Sequence, residues 1–289
     1  MKRVGFIGVG SMGARMARRL HDAGYELTVC DREAATLSVF ETLGVAIAPT
    51  PSACGGNDLV ILMVANDAQL KEVMLAPDGL VSGIDVAAPP LVAVMSTVLP
   101  ETVREIANAL SRKNAAVIDA PVSGGLAGAE AGTLTIMIGG SEQDVARLRP
   151  ILNAMATTIF HCGELGSGEL TKIVNNMVGV SNLFLMAEAM TLAKRYGLPP
   201  ERLVSIMEAS SGRSAYTRDW DGRKGTYSAI AADADRMRSH LAICRKDLQC
   251  ALTLASNARR PLGVFANIAS AIASGADSEF QDVWREAFV

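Results

Sequence analysis

The chain of 289 residues is 49% hydrophobic and sets 27 Lys and Arg against 30 Asp and Glu, a formal net charge of −3. That length and apolar share support a large core and two domains rather than one, while the charge balance lacks the basic face that phosphate backbones require. The longest uninterrupted apolar runs, such as residues 59–65, fall far short of the roughly 20 residues that cross a bilayer, so neither nucleic acid nor membrane is expected as a partner.

In chain order, the basic Met1-Lys2-Arg3 is followed by glycines too early for a secretory leader, and Arg3–Ile7 is read as a mature first strand. Further strands are predicted over Glu26–Cys30, 58–64, 91–95, 116–118, 134–138 and 157–160, with helices between them at 12–23, 68–75, 101–111 and 142–155. Nearly continuous apolar strands alternating with helices imply a parallel sheet covered on both faces, with the last one or two strands antiparallel at its edge. After Gly163 the strand signals stop. Gly163-Glu164-Leu165-Gly166-Ser167-Gly168 punctuates the change, and an apolar helical run continues to about Tyr196 before Gly197-Leu198-Pro199-Pro200 ends it. Helices are predicted at 201–209, 239–255 and 262–273, with a polar loop over 210–235. The expected division is a Rossmann-type, doubly wound α/β domain over 1–163, then an all-helical domain over 164–289, joined by the long helix.

Five cysteines, odd in number and without a C-x-x-C pair, argue against structural zinc or a disulfide framework and point to the cytoplasm. Three scattered histidines offer no evident metal site.

Gly8-Val9-Gly10-Ser11-Met12-Gly13 is a G-x-G-x-x-G stretch between a strand and a helix, and Asp31 ends the second strand about 20 residues on. Gly8 permits the tight turn, Gly10 the backbone's approach to a pyrophosphate, Gly13 close helix–strand packing, and the helix N-terminus faces the phosphates. Asp31 is expected to accept hydrogen bonds from the adenosine ribose and to repel a 2′-phosphate, which favours NAD. Arg32 keeps NADP open, because a guanidinium there can pair with that phosphate.

Lys172 and Asn176 lie four apart in the long helix and share a face, with Asn175 flanking. The apolar neighbours Leu170, Ile173, Val174 and Met177 suggest a largely buried helix, in which an ammonium is costly unless used. A lysine partly removed from water has a lowered pKa and can act as general acid/base in alcohol oxidation or carbonyl reduction, with Asn176, and Asn175 beside it, fixing the substrate oxygen. Ser123-Gly124-Gly125 follows a strand end and is read as a small anion-binding nest, the alternative being a plain Gly-Gly turn. Ser96-Thr97 ends another strand, where Thr97 could meet the nicotinamide portion or the pair could simply cap a helix. Arg213, in the predicted polar loop, could grip a second substrate oxyanion or lie on the surface. Tyr216 and Trp220 could shape the same pocket or pack in the core.

With residues 5–17 (GFIGVGSMGARMA), Asp-Ala-Pro-Val-Ser-Gly-Gly at 119–125, Lys-Ile-Val-Asn-Asn at 172–176 and the late Lys246-Asp247-Leu248, the chain resembles the β-hydroxyacid dehydrogenases over almost its whole length. Val9 stands where Leu is more usual and Arg19 where Asn is common. The resemblance implies a metal-free, reversible hydride exchange between a nicotinamide and a small β-hydroxy acid of the 3-hydroxyisobutyrate, serine, glycerate or tartronate semialdehyde, or threonate class. It further implies an active site between the domains, a helical domain that supports a homodimer or homotetramer, Lys172 as the acid/base, the Ser123 loop as the carboxylate grip, and Lys246 reaching toward cofactor or substrate. The alternatives are an imine reductase-like enzyme, a branch that generally carries another residue at the lysine position, and a dinucleotide-binding sensor without chemistry.

Overall fold

The computed structural model describes residues 1–288. By internal contacts the chain forms two compact units, Met1–Lys172 and the remainder from Ile173 onward.

In the first unit the strands β1 (Arg3–Ile7), β2 (Glu26–Cys30), β3 (Ala46–Ile47), β4 (Leu59–Leu62), β5 (Leu91–Val94), β6 (Ala116–Asp119), β7 (Val122–Ser123), β8 (Leu134–Gly139) and β9 (Ala156–Gly163) form one sheet. Its order is β3-β2-β1-β4-β5-β6-β8-β7, with β9 paired to β8. The first six run parallel; β8 is antiparallel to β6 and β7, and β9 is parallel to β8. The expected antiparallel edge is present. β3 and β7, two residues each, were not anticipated from the sequence.

Burial on both faces explains the unbroken apolar strands. Val4, Phe6, Leu59, Ile61, Leu91 and Ala93 point into one core with Met16 and Leu20 of α1 (Ser11–Asp22), while Ile7, Val60, Leu62, Val92 and Val94 point into another. The second core is closed by Leu70 and Met74 of α3 (Asp67–Leu75) and by Val103, Ile106 and Leu110 of α4 (Pro100–Ser111). Two helices between strands escaped the sequence reading, α2 (Ala34–Thr42) and α5 (Gly125–Ala131); α6 (Glu142–Leu152) lies within its predicted range. Because β2 and β4 leave opposite sides of β1, the sheet order reverses beside β1, and the glycine loop stands at the strand ends of that switch point.

The long helix α7 (Ser167–Arg195) begins in the first unit and continues into the second. Gly197, at φ +74°, follows its end, and the Leu198 amide turns back to the Ala193 carbonyl. The second unit adds α8 (Pro200–Glu208), α9 (Ala215–Arg218), α10 (Trp220–Ala231), α11 (Ala234–Asn257), α12 (Gly263–Ser274) and α13 (Asp277–Phe288). The polar loop predicted over 210–235 is therefore corrected to a short connection and two helices. Its core is aromatic: Trp284 stands 5.2 Å from Tyr227, 5.4 Å from His240 and 5.7 Å from Phe184, ring centre to ring centre.

α7 is the one described helix long and apolar enough to cross a membrane by length and composition. Its first turns carry Glu169, Lys172 and Asn176, and Leu183, Phe184, Met186, Ala187 and Met190 are buried inside the protein, which is how a core helix is used.

Candidate active site

The glycine loop has the shape a dinucleotide needs. Gly8 sits at φ +92°, and its amide donates to the Cys30 carbonyl at 2.9 Å, joining the ends of β1 and β2. A Cβ on Gly13 would collide with the Gly8 carbonyl oxygen, so only glycine lets α1 start this close to the strand. A Cβ on Gly10, the residue before α1, would meet nothing within 4 Å, so the backbone there borders open space. That helix has no side-chain cap, leaving its N-terminal amides for an anion.

Asp31 holds this loop. Its Oδ2 accepts from the Val9 amide at 2.8 Å and its Oδ1 from the Glu33 amide at 3.0 Å. Arg32 is exposed, its Nε 3.7 Å from the Glu33 carboxylate.

Two more segments leave strand ends. After β5, buried Ser96 accepts from the Val64 amide at 2.7 Å, so Ser96 ties β5 to the residues after β4, while Thr97 is half-buried. Asp67 steadies the same segment, accepting from the Leu99 amide at 2.9 Å and the Thr102 hydroxyl at 2.6 Å. After β7, Gly124 and Gly125 take φ of +133° and +64°, conformations that side chains rarely adopt, and both are exposed beside half-buried Ser123.

The start of α7 is held from the sheet. Asp119, at the end of β6 and fully buried, accepts from the amides of Gly166 and Glu169 at 2.7 Å each. Burial raises its pKa, and the amides of Gly166, Glu169 and Gly168 oppose that rise. Glu169, also fully buried, turns its carboxylate to the Val98 amide at 3.2 Å. Lys172, one turn further, is 7% exposed.

The expectation of a largely buried helix is met on one face only. Ile173 is buried, but Leu170 and Val174 are about half exposed, so Lys172 lies on the inward side of a two-faced helix.

In the second unit, Asn176 Nδ2 donates to Asp247 Oδ2 at 2.7 Å, and Lys246 Nζ lies 2.9 Å from Asp247 Oδ1. Buried Asp247 thus gathers Asn176 and Lys246. Asn175 is exposed and donates to the Asn176 Oδ1 at 3.3 Å. Arg213 is exposed, with its Nε 3.4 Å from the Glu208 carboxylate. Tyr216 donates its hydroxyl to the Gly179 carbonyl at 2.9 Å, and Trp220 is buried.

The sequence reading did not assign roles to Asp67, Asp119 or Glu169. Asp119 opens the Asp-Ala-Pro-Val-Ser-Gly-Gly stretch, a signal that was present; the others act through partners distant in sequence. Among the described residues, no group of three or more His, Cys, Asp or Glu is arranged to hold a metal ion.

Two family models divide the chain between them. The NAD binding domain of 6-phosphogluconate dehydrogenase matches residues 3–163, and the NAD-binding domain of NADP-dependent 3-hydroxyisobutyrate dehydrogenase matches 166–285. Among curated relatives, 3-hydroxyisobutyrate dehydrogenase of Pseudomonas aeruginosa is 35% identical over 285 residues, covering 97% of this chain and 95% of its own. NAD-dependent L-serine dehydrogenase of the same organism is 36% identical over 270 residues, covering 92% and 90%. Among solved structures, a 3-hydroxyisobutyrate dehydrogenase from Salmonella typhimurium superposes with a TM-score of 0.81 at 28% identity, covering all of both chains. Together with the glycine loop at the switch point and the lysine on the long helix, these matches show that the chain belongs to the β-hydroxyacid dehydrogenase family of NAD(P)-dependent oxidoreductases.

Proposed function

We propose that this protein interconverts a small β-hydroxy acid and its carbonyl form, with Lys172 as general acid/base. One observation carries the reading: an ammonium-bearing side chain is almost wholly withdrawn from solvent, on a helix whose first turn is fastened to the sheet by Asp119. Such investment in a buried lysine suits proton transfer better than surface charge. The glycine loop over residues 8–13 would hold a nicotinamide dinucleotide, which when bound would accept or supply the hydride. In the oxidative direction the hydroxyl proton passes to the Lys172 amine as the carbon–hydrogen bond breaks; in reverse, the ammonium protonates the developing alkoxide.

Asn176, oriented by Asp247, fixes the reacting oxygen, and Asn175 plays at most a flanking part. Ser123, Gly124 and Gly125 receive the substrate carboxylate, in keeping with the open backbone of both glycines. Thr97 is assigned to the nicotinamide, Lys246 to the cofactor, and Arg213 to a second substrate oxyanion. NAD is preferred to NADP: Asp31 stands beside the glycine loop, where its negative charge would accept from the ribose and oppose a 2′-phosphate, and Arg32 is turned to Glu33. We place the division between the cofactor domain and the helical domain at residue 163, where the first family match ends.

The chain is assigned to the cytoplasm on its scattered cysteines, and to a homo-oligomer because Leu170, Val174, Val178, Leu185 and Leu192 of α7, with Tyr196 just past its end, are exposed apolar side chains that a second copy would cover. The relatives' substrates, 3-hydroxyisobutyrate and L-serine, are the first to try, with glycerate, tartronate semialdehyde and threonate beside them.

A spectrophotometric screen of these acids with NAD and NADP tests the reading. Oxidation of at least one is expected, and Lys172→Ala should lose several orders of magnitude in turnover while still binding NADH. Near-normal turnover by that variant would remove the lysine from its role. Reduction of cyclic imines with no action on hydroxy acids would move the protein to the imine reductase chemistry, and tight cofactor binding with no turnover at all would make it a sensor.

A further inference from the structure

Glu169 is a fully buried carboxylate in the first turn of α7. A charge in that position is costly unless bonded, although the helix N-terminus favours a negative group. Its backbone and side chain are fastened to different parts of the sheet. The amide donates to Asp119 at the end of β6 at 2.7 Å, and Oε2 accepts from Val98, just beyond β5, at 3.2 Å.

Val98 adjoins Thr97, and Asp67 holds the next residue, Leu99, through its amide. Val98 and Leu99, directly after Thr97, are therefore held by two carboxylates, one from α7 and one from α3. Lys172 follows Glu169 by three positions, which brings the two side chains onto neighbouring points of one helical face.

We infer that Glu169 is a positioning residue of the dehydrogenase: its bond from the Val98 amide sets the separation between the nicotinamide-side segment and the helical turn carrying Lys172. The inference rests on the acid/base reading of Lys172. Hydride and proton leave one carbinol group in the same event, so the groups receiving them must be held at a fixed spacing, and an error of about 1 Å costs roughly 100-fold in rate. A side chain reaching from the lysine's own helix to the backbone beside Thr97 supplies that spacing directly.

The test compares Glu169→Ala, Glu169→Gln and Lys172→Ala with the wild type, using L-serine or 3-hydroxyisobutyrate, whichever is oxidised faster, in normal form and deuterated at the hydroxymethyl carbon. Glu169→Ala is expected to lower kcat by about 10- to 100-fold, with KM and the NADH dissociation constant within about threefold of wild type. The deuterium effect on kcat should rise as hydride transfer becomes limiting, and the Val98 amide should exchange hydrogen faster in the substrate-free protein. Glu169→Gln, which keeps an acceptor oxygen, should recover most of the rate and the amide's protection.

Unchanged kcat and isotope effect in Glu169→Ala overturn the inference. So does a loss that merely tracks lost NADH binding or folded fraction, with the isotope effect unmoved. A Lys172→Ala variant that keeps its turnover refutes the acid/base reading instead; an inactive Lys172→Ala beside a normal Glu169→Ala refutes only the role given to Glu169.

Discussion

Asp31, just past β2, and Asp119, at the end of β6, both spend their carboxylates on backbone amides of a segment that begins or precedes a helix. Asp31 secures the glycine loop through Val9, while Asp119 secures the start of α7 through Gly166 and Glu169. Asp31 was legible in the sequence because its spacing from the glycines is short and regular. Its second task, bracing the glycine loop, is not legible, since nothing in the spacing says where the Val9 amide points. Removing both tasks in Asp31→Ala should weaken NADH binding by roughly 10- to 100-fold, the range for losing hydrogen bonds to a charged group at about 1.5–3 kcal/mol. Discrimination against NADPH should shrink in parallel, because the charge opposing the 2′-phosphate is gone. Fluorescence titration with both cofactors measures this, and an unchanged NADH dissociation constant would contradict the ribose assignment. Asn175 and Asn176 show the opposite case: adjacent in sequence and alike in chemistry, they differ because only Asn176 meets Asp247.

Elements with strong local signals are legible in the sequence, and those carried by tertiary contacts are not. β1 and β2 match their predicted ranges because Val4, Phe6 and Ile7 in one and Leu27, Thr28 and Val29 in the other give short runs of strand-forming residues between turn signals. α10 reads as loop in the sequence because WDGRKGTYSAIA sets two glycines among the polar Asp221, Arg223, Lys224 and Thr226. It is a helix because Trp220, Tyr227 and Ala231, spaced seven and four apart, reach the aromatic core together. α5 escaped in the same way, its glycines suggesting only a turn.

Caps show how a local choice stabilises such an element. Ser141 accepts from the Asp144 amide at 3.1 Å at the start of α6 and donates its hydroxyl to the Asp144 carboxylate at 2.7 Å. Ser141→Ala should therefore cost about 1 kcal/mol, lowering the melting temperature by about 2–4 °C for a chain of this size. Calorimetry checks it, and an unchanged transition would show the cap to be redundant.

For the molecule as a whole, a buried histidine links stability to pH. His240 stands among Tyr227, at 6.0 Å, and Trp284; burial lowers its pKa from 6.5, with the negative Asp247 opposing the shift. Below about pH 6.5 the unfolded chain gains a proton there that the folded chain resists, so stability present above that pH is lost as acid is added. One such proton contributes a slope of about 1.4 kcal/mol per pH unit. Replacement by Phe should flatten the decline between about pH 6.5 and 5, whatever it does to stability at neutral pH, as urea titrations at several pH values would show. An identical slope in the variant would mean that other groups govern the acid limb.

The sequence by itself determined the doubly wound sheet, the succession from α/β to helical units, the glycine loop with Asp31, and the candidacy of Lys172. Each depends on periodicity or spacing within a few tens of residues at most. Only the tertiary structure decided that α7 is two-faced, that Asn176 rather than Asn175 is tied to Asp247, and that Asp119 and Glu169 brace the lysine's helix. Those bonds join residues 47 to 71 positions apart. The physical reason is that a carboxylate's role is set by the amide it meets in the buried interior, and no pattern along the chain specifies that meeting.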